Sequence, residues 1–245
     1  MGLSFHELCD KISSWIKEKC ARANAKGAVF GLSGGVDSAT VAALCRKALG
    51  ENTLAIIMPC YSNPADRECA IQVAEKFNIK YEIIYLEEVF DSFLKILPKG
   101  NKIATANLKP RIRMTTLYYF ANNLNYIVVG AGNKSEIMVG YFTKYGDGGA
   151  DIFPIGGLLK TEVIELAKFL GVPKNIIEKP PSAGLWPGQT DEEEMGITYQ
   201  ELDKIIRYLE GGEKIEVSQE KLEKVKILIE RSIHKRKSPD IFDNF

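Results

Sequence analysis

At 245 residues, 45% of them hydrophobic and 26% charged, the chain is long enough for one domain with a sizeable core. Its formal net charge of +0 argues against a protein held to nucleic acid or to an anionic membrane by bulk attraction. No apolar run approaches the roughly 20 residues needed to span a bilayer.

The opening segment MGLSFHELCDKISSWIKEKC mixes charges among its apolar positions and has no signal-peptide core. MGLSFH matches a myristoylation signal only loosely, with His6 where Ser or Thr is required. Leu3, Leu8, Ile12, Trp15, Ile16 and Cys20 fall at helical spacing and predict an amphipathic helix. GAVFGLS then reads as a buried strand and SATVAALCRKALG as a helix closed by Gly50. TLAIIMP is a second apolar strand, and PADRECAIQVAEKFN a helix with Pro64 near its first turn. KYEIIYL is a third strand, EEVFDSFLKIL a helix ending before Pro98, RIRMTTLYYFANNL a further helix and NYIVVGAG a fourth strand. Strands that are apolar rather than alternating, separated by helices, predict a doubly wound α/β fold: a parallel sheet covered on both faces.

From Lys134 to Thr190 one clear helix, TEVIELAKFLG, stands among loops rich in Gly, Pro and charge. TYQELDKIIRYLEGG and SQEKLEKVKILIERSIHKRK predict two C-terminal helices. Residues 179–196, KPPSAGLWPGQTDEEEMG, lack helical or strand period and read as a mobile loop. The five cysteines, Cys9, Cys20, Cys45, Cys60 and Cys69, include no C-x-x-C pair. They read as buried free thiols in a reducing cytoplasm, not as a zinc site.

Between the first strand and its helix lies GLSGGVDS, Gly31 to Ser38. A strand running through a Gly-rich turn into a helix is a phosphate site in outline, because the turn offers N–H groups and the helix N-terminus adds partial positive charge. The lysine of a G-x-x-x-x-G-K-[ST] loop is missing, and so is G-x-G-x-x-G. In their place stand Asp37, suited to Mg²⁺, and Ser33 and Ser38, suited to phosphate oxygens. The plainer alternative is a tight turn in which Asp37 only complements the helix dipole. Its position at the C-terminal end of the first strand, where open α/β sheets bind ligands, favours the phosphate site.

LSGGVDS resembles the pyrophosphate-binding loop of the ATP pyrophosphatases, which cleave ATP to AMP and pyrophosphate while adenylating a substrate oxygen. Within that superfamily the second half of the chain is similar to the ammonia-dependent bacterial NAD synthetases. The resemblance is carried by LKPRIRMTTLY (108–118), GAGNKSE (130–136), GYFTKYGDGGADIFPIGGLLKTEV (140–163), KPPSAGLWPGQTDEEEMG and HKRKSP, in order over most of the chain. It implies amidation of deamido-NAD by ammonia at the expense of ATP, through an adenylated carboxylate. ATP would then be a co-substrate, Mg²⁺ a cofactor, and a cytoplasmic homodimer the assembly.

For ATP the resemblance implies Gly31, Leu32, Ser33, Gly34, Gly35, Val36, Asp37 and Ser38, together with Ala131, Lys160 and Ser182. Ala131 stands where the family often has threonine, which leaves a backbone contact; Ser182, where threonine is also usual, keeps its hydroxyl. Asp37 and Glu136 are the implied Mg²⁺ carboxylates, and Asp37 and Lys160 the catalytic pair. Read without the family, Glu136 would be a helix-start acid and Lys160 a solvated helix-entry lysine. Arg111, Lys144, Asp151, His234 and Lys235 are implied for deamido-NAD, and Arg113 is either a second anion grip or a salt-bridge residue. The N-terminal helix and RIRMTTLYYFANNL, rich in apolar and aromatic residues, are either dimer contacts or core.

About 26 residues precede the first predicted strand and only the eight residues SPDIFDNF follow the predicted C-terminal helices, so the whole of 1–245 reads as one synthetase domain with no glutaminase domain and direct use of ammonia. A GMP synthetase would need a longer C-terminal region, and a thiolating tRNA enzyme paired cysteines and a basic face. A nucleotide sensor of similar fold would need the loop but not Glu136, Lys160, Arg111 and Lys144.

Overall fold

A computed structural model describes residues 3–186, 188–212 and 216–242. Met1 and Gly2, which open the loose myristoylation-like segment, and Pro187 within 179–196 lie outside the described residues.

The elements run α1 (Phe5–Arg22), β1 (Gly27–Gly31), α2 (Val36–Leu49), β2 (Thr53–Ile57), α3 (Pro64–Lys76), β3 (Lys80–Ile83), α4 (Glu87–Ile96), α5 (Lys102–Ala106), α6 (Leu108–Leu124) and β4 (Tyr126–Val128). They continue with α7 (Lys134–Val139), α8 (Lys160–Leu170), α9 (Lys174–Ile177), α10 (Asp191–Met195), α11 (Tyr199–Leu209), α12 (Gln219–Arg231) and α13 (Ile233–Arg236). The strands pair in parallel in the order β3-β2-β1-β4. The doubly wound sheet expected from the apolar strands is therefore present, and the strand order reverses direction between β1 and β4.

Alternation along the strands divides the interior in two. Ala28 and Phe30 of β1, Leu32 just after it, Ala55 and Ile57 of β2, and Ile127 face a core built with α1, α2, α3 and α8. Val29, Ile56, Met58 and Val128 face the opposite core, closed by Phe90 of α4 and by Ile112 and Ala121 of α6. A third cluster joins Val139 and Leu159 to Leu202, Ile205 and Ile206 of α11 and Val225 of α12. Each large apolar side chain so buried contributes about 1.5–3 kcal/mol relative to exposure.

Five expectations change in detail. The segment 134–190 contains α7 and α9 as well as α8, and the loop 179–196 holds the short helix α10. Their periods are too short to register: α7 has six residues, α10 five and α9 four. The helix expected from Arg111 starts at Leu108, because Pro110 needs no donor in a first turn. The fourth strand is only three residues long, after which Val129 bridges to Ile152. Finally, α1 turns Cys9, Ile12, Ile16 and Cys20 into the first core, so its apolar stripe is intramolecular. All five cysteines are free and four are buried, Cys69 being the exception. Among the described residues no helix is long and apolar enough to cross a membrane.

Candidate active site

Where the strand order reverses, the chain leaves the sheet after β1 with the Leu32 N–H still donating to the Ile56 carbonyl at 2.9 Å. Gly34 follows at φ +81°, and a Cβ placed there would stand 2.2 Å from the Asp66 carbonyl oxygen. Backbone blocks the space and the torsion disfavours L side chains, so only glycine fits. Gly35 is the N-cap of α2 and supplies no side-chain cap, which leaves the amides of the first turn pointing out of the helix end. The Ser33 and Ser38 hydroxyls lie 3.0 Å apart, and Ser38 donates to the Gly35 carbonyl at 3.0 Å. This holds the turn from Gly31 to Ser38, with Val36 buried behind it.

Asp37, in the first turn of α2, faces residues delivered by β4 across the switch point. Asn133, wholly buried, caps α7: its Oδ1 accepts from the Glu136 N–H at 3.0 Å while its Nδ2 donates to Asp37 Oδ1 at 3.1 Å. Lys160 opens α8, and its ammonium pairs with Asp37 Oδ2 and lies 3.6 Å from Glu136 Oε1. Its side chain is 2% exposed, so the solvated alternative is excluded. Behind it the buried Asp203 accepts from Ser135 Oγ and from the Thr161 N–H at 2.9 Å, and Ser135 Oγ accepts from the Lys160 N–H at 2.9 Å. The start of α8 is thereby bolted to α7 and α11.

Burial, reinforced by the neighbouring Asp37, raises the pKa of Glu136 against the pull of Lys160. Burial opposes the charge on Lys160, but Asp37 and Glu136 outweigh it and keep the ammonium protonated. The result is two carboxylates sharing one cation beside an uncapped helix N-terminus. Such a group suits anionic phosphates that arrive with further positive charge. Asp37 and Glu136 offer the hard oxygen donors that Mg²⁺ takes. Among the described residues no group of three or more His, Cys, Asp or Glu could hold a metal alone.

Ala131 is half-buried between β4 and Asn133, packed against the first core. Ser182 lies in the 179–196 segment, its Oγ donating to the Gln189 carbonyl at 2.7 Å and accepting from the Gly184 N–H at 3.1 Å. This segment is tied down. Lys179 pairs with Asp66 beside Gly34, and Lys109 Nζ donates to the Leu185 carbonyl at 3.0 Å.

Arg111, Lys144 and His234 are brought together. The Arg111 guanidinium reaches the Lys144 carbonyl at 3.4 Å, and Lys144 Nζ donates to the His234 carbonyl at 2.6 Å. Lys235 turns inward, donating to the Gly140 and Phe142 carbonyls at 2.7 and 2.9 Å. Lys144 and His234 line a cavity of about 370 Å³ with Arg231, Lys237 and Ser238. Asp151 accepts from the Val128 N–H at 2.7 Å and from Tyr118 at 2.9 Å, so in this structure it fixes the end of β4. Arg113 makes no salt bridge among the described residues; it donates to the Met58 carbonyl at 3.1 Å and to Ser62 Oγ at 3.3 Å.

Sequence reasoning passed over Asn133, Asp191 and Tyr199. The pattern N-x-x-E ahead of a helix is a capping-box signal and pointed to Asn133. For Asp191 and Tyr199 no local signal exists, because their partners are distant in the chain.

A sequence profile of the NAD synthase family matches residues 8–239. An NH(3)-dependent NAD(+) synthetase of Carboxydothermus hydrogenoformans is 50% identical over 98% of this chain and 99% of its own length. The structure of NMN synthetase from Francisella tularensis superposes with a TM-score of 0.92 at 42% identity, covering 100% of both chains. That of an NH3-dependent NAD synthetase from Campylobacter jejuni, in complex with nitrate, superposes with a TM-score of 0.86 at 32% identity, over 98% of this chain and 100% of the other. The chain belongs to the NAD synthase family.

Proposed function

We propose that the protein is an ammonia-dependent NAD synthetase: it joins ammonia to the nicotinate carboxyl of deamido-NAD, converting ATP to AMP and pyrophosphate. The observation that carries this reading is the Asp37–Lys160–Glu136 cluster set against the Gly31–Ser38 turn. A carboxylate resists attack by ammonia until one oxygen becomes a leaving group. That oxygen attacks the α-phosphorus of ATP and pyrophosphate departs. Ammonia then bonds to the acyl carbon, the C–O bond to AMP breaks and a proton is lost.

Charge develops on phosphate oxygens in the first step, so the helix-end amides, Ser33, Ser38 and Lys160 are the stabilising groups. Lys160 is held in place before substrate arrives and needs no reorganisation. When bound, Mg²⁺ would sit on Asp37 and Glu136 and supply charge neutralisation on the polyphosphate. ATP contacts at Gly31, Leu32, Gly34, Gly35, Val36, Ala131 and Ser182 belong to the same reading, as does cytoplasmic placement, which the free thiols favour.

On the acceptor side Arg111, Lys144, Asp151, His234 and Lys235 are assigned to deamido-NAD. The cavity beside Lys144, of roughly 370 Å³ and lined by Arg231, His234 and Lys237, is of small-molecule size and basic, which suits a nucleotide acceptor. The likeness to an NMN synthetase favours a second reading, in which the acceptor is the corresponding mononucleotide. A homodimer belongs to the first reading. Val89, Phe93, Leu94, Ile96 and Leu97 on and after α4, with Ile103 and Tyr119, expose an apolar face suited to a second copy.

Pyrophosphate release from ATP and Mg²⁺ tests the function directly, with no acceptor, with nicotinic acid adenine dinucleotide, with the mononucleotide, and with each plus ammonium. Release that needs the dinucleotide, with NAD formed only when ammonium is present, is expected. Release with the mononucleotide alone would transfer the assignment to the second reading, and release with neither would overturn both.

A further inference from the structure

Tyr199 opens α11 and is 3% exposed. Its hydroxyl stands 3.2 Å from Glu136 Oε1 and 3.0 Å from Asp191 Oδ2, and Lys160 Nζ lies 5.0 Å from the centre of its ring. It therefore touches both a carboxylate of the phosphate cluster and the first residue of α10. Asp191 is itself 4% exposed, and its other oxygen accepts from Tyr141 at 3.1 Å and from the Ala183 N–H at 2.9 Å. Ala183 adjoins Ser182. A line of close polar contacts thus runs from Glu136 through Tyr199 and Asp191 to the turn that carries Ser182.

Two carboxylates around one phenol need a reason to stay together. The hydroxyl has a single proton and donates to one of them at a time, while the ammonium of Lys160, 3.6 Å from Glu136, offsets negative charge on the pair. Tyr199 fixes the distance at which that balance works, and α11 is anchored independently: Thr198 and Glu201 form its capping box, and Leu202, Ile205 and Ile206 are wholly buried. The tyrosine is a rigid spacer.

We propose that Tyr199 is a positioning residue for the reaction, coupling Glu136 to Asp191 so that the Ser182 turn is registered on the activated carboxyl and water is kept from it. The proposal rests on the functional reading above. An acyl-adenylate left open to water is hydrolysed: water bonds to the acyl carbon, the C–O bond to AMP breaks, and the original carboxylate returns with ATP consumed for nothing. A residue that only supports the fold would lower all rates together. A residue that registers this turn would change how much amide forms per pyrophosphate.

The test measures amidated product per pyrophosphate, together with KM for ATP and kcat, in Tyr199→Phe, Asp191→Asn and the double variant. The acceptor is whichever nicotinate nucleotide the wild-type enzyme turns over. A wrong acceptor assignment thus fails in the wild-type control, and a wrong role for Tyr199 fails only in the variants. Tyr199→Phe is expected to lower amide formation by roughly tenfold, the loss of one hydrogen bond to a charged group, and to lower product per pyrophosphate with it. KM for ATP should rise by less than the fall in amide formation, since the loop amides and Lys160 remain and only the Ser182 contact is disturbed. Asp191→Asn should reproduce the lowered ratio, and the double variant should be no worse than either single one. A wild-type ratio in both single variants, or additive losses in the double, would overturn the proposal. If Tyr199→Phe does not fold, the ratio in Asp191→Asn decides it alone.

Discussion

Lys160 and Lys144 are both assigned to the reaction, yet the regions around them are built differently. Lys160 is sealed at 2% exposure between two carboxylates, and its backbone is clamped by Ser135 and Asp203. Lys144 lies partly open on a glycine-rich loop, and its ammonium reaches a backbone carbonyl of the C-terminal segment. On the phosphate side, sheet and helix ends fix every group in advance. Around Lys144, long side chains and carbonyl tethers assemble a wall from parts of the chain about 90 residues apart. The first arrangement suits a ligand whose charge never varies, the second one whose shape must be distinguished.

This contrast makes graded predictions. The largest effect belongs to Gly34→Ala, where a methyl would meet the Asp66 carbonyl at 2.2 Å. It should cost roughly 2–4 kcal/mol in denaturant unfolding and remove pyrophosphate release. Lys160→Met comes next, with kcat/KM lower by about 100-fold or more. It also leaves Asp37 and Glu136 facing each other without a cation, so Tm should fall, and adding Glu136→Gln should recover part of that fall. Arg111→Ala, on the exposed side, should raise KM for the nicotinate nucleotide by roughly tenfold with Tm nearly unchanged. An equal loss of stability in Arg111→Ala and Lys160→Met would erase the distinction between the two regions. The smallest effect is a rate of limited proteolysis within 179–196, which should slow when ATP and Mg²⁺ are present; equal rates would mean the ties at Lys179 and Lys109 already hold the segment fully.

How far these regions were legible in the sequence follows from the same physics. The parallel sheet could be read because strands buried on both faces, such as Val29 to Phe30 and Ala55 to Ile57, are continuously apolar. The Gly31–Ser38 turn could be read because its chemistry is local. Lys160 was legible only through family resemblance: a lysine at a helix start normally points to water, and what buries this one is Asp37, 123 positions away. Tyr199 and Asp191 left no trace, since an aromatic at a helix start and an acid in an acidic run look like core and surface. Asp151 was assigned to substrate through family resemblance alone, and its contact with the Val128 amide, 23 positions away, has no local signal. The apolar stripe of α1 was undecided between core and partner because periodicity reveals a buried face but not what buries it.

Gly140 joins the two regions. It adopts φ +71° as the C-cap of α7, and a Cβ there would meet Ser232 Cβ at 2.1 Å, while Lys235 donates to its carbonyl. The turn that ends the Glu136 helix is therefore the seat for the C-terminal segment. During synthesis the sheet and its phosphate turn emerge from the ribosome long before Ser232 does. The wall around Lys144 is therefore the last part of the fold to be completed, because it waits for Ser232 and the residues that follow it.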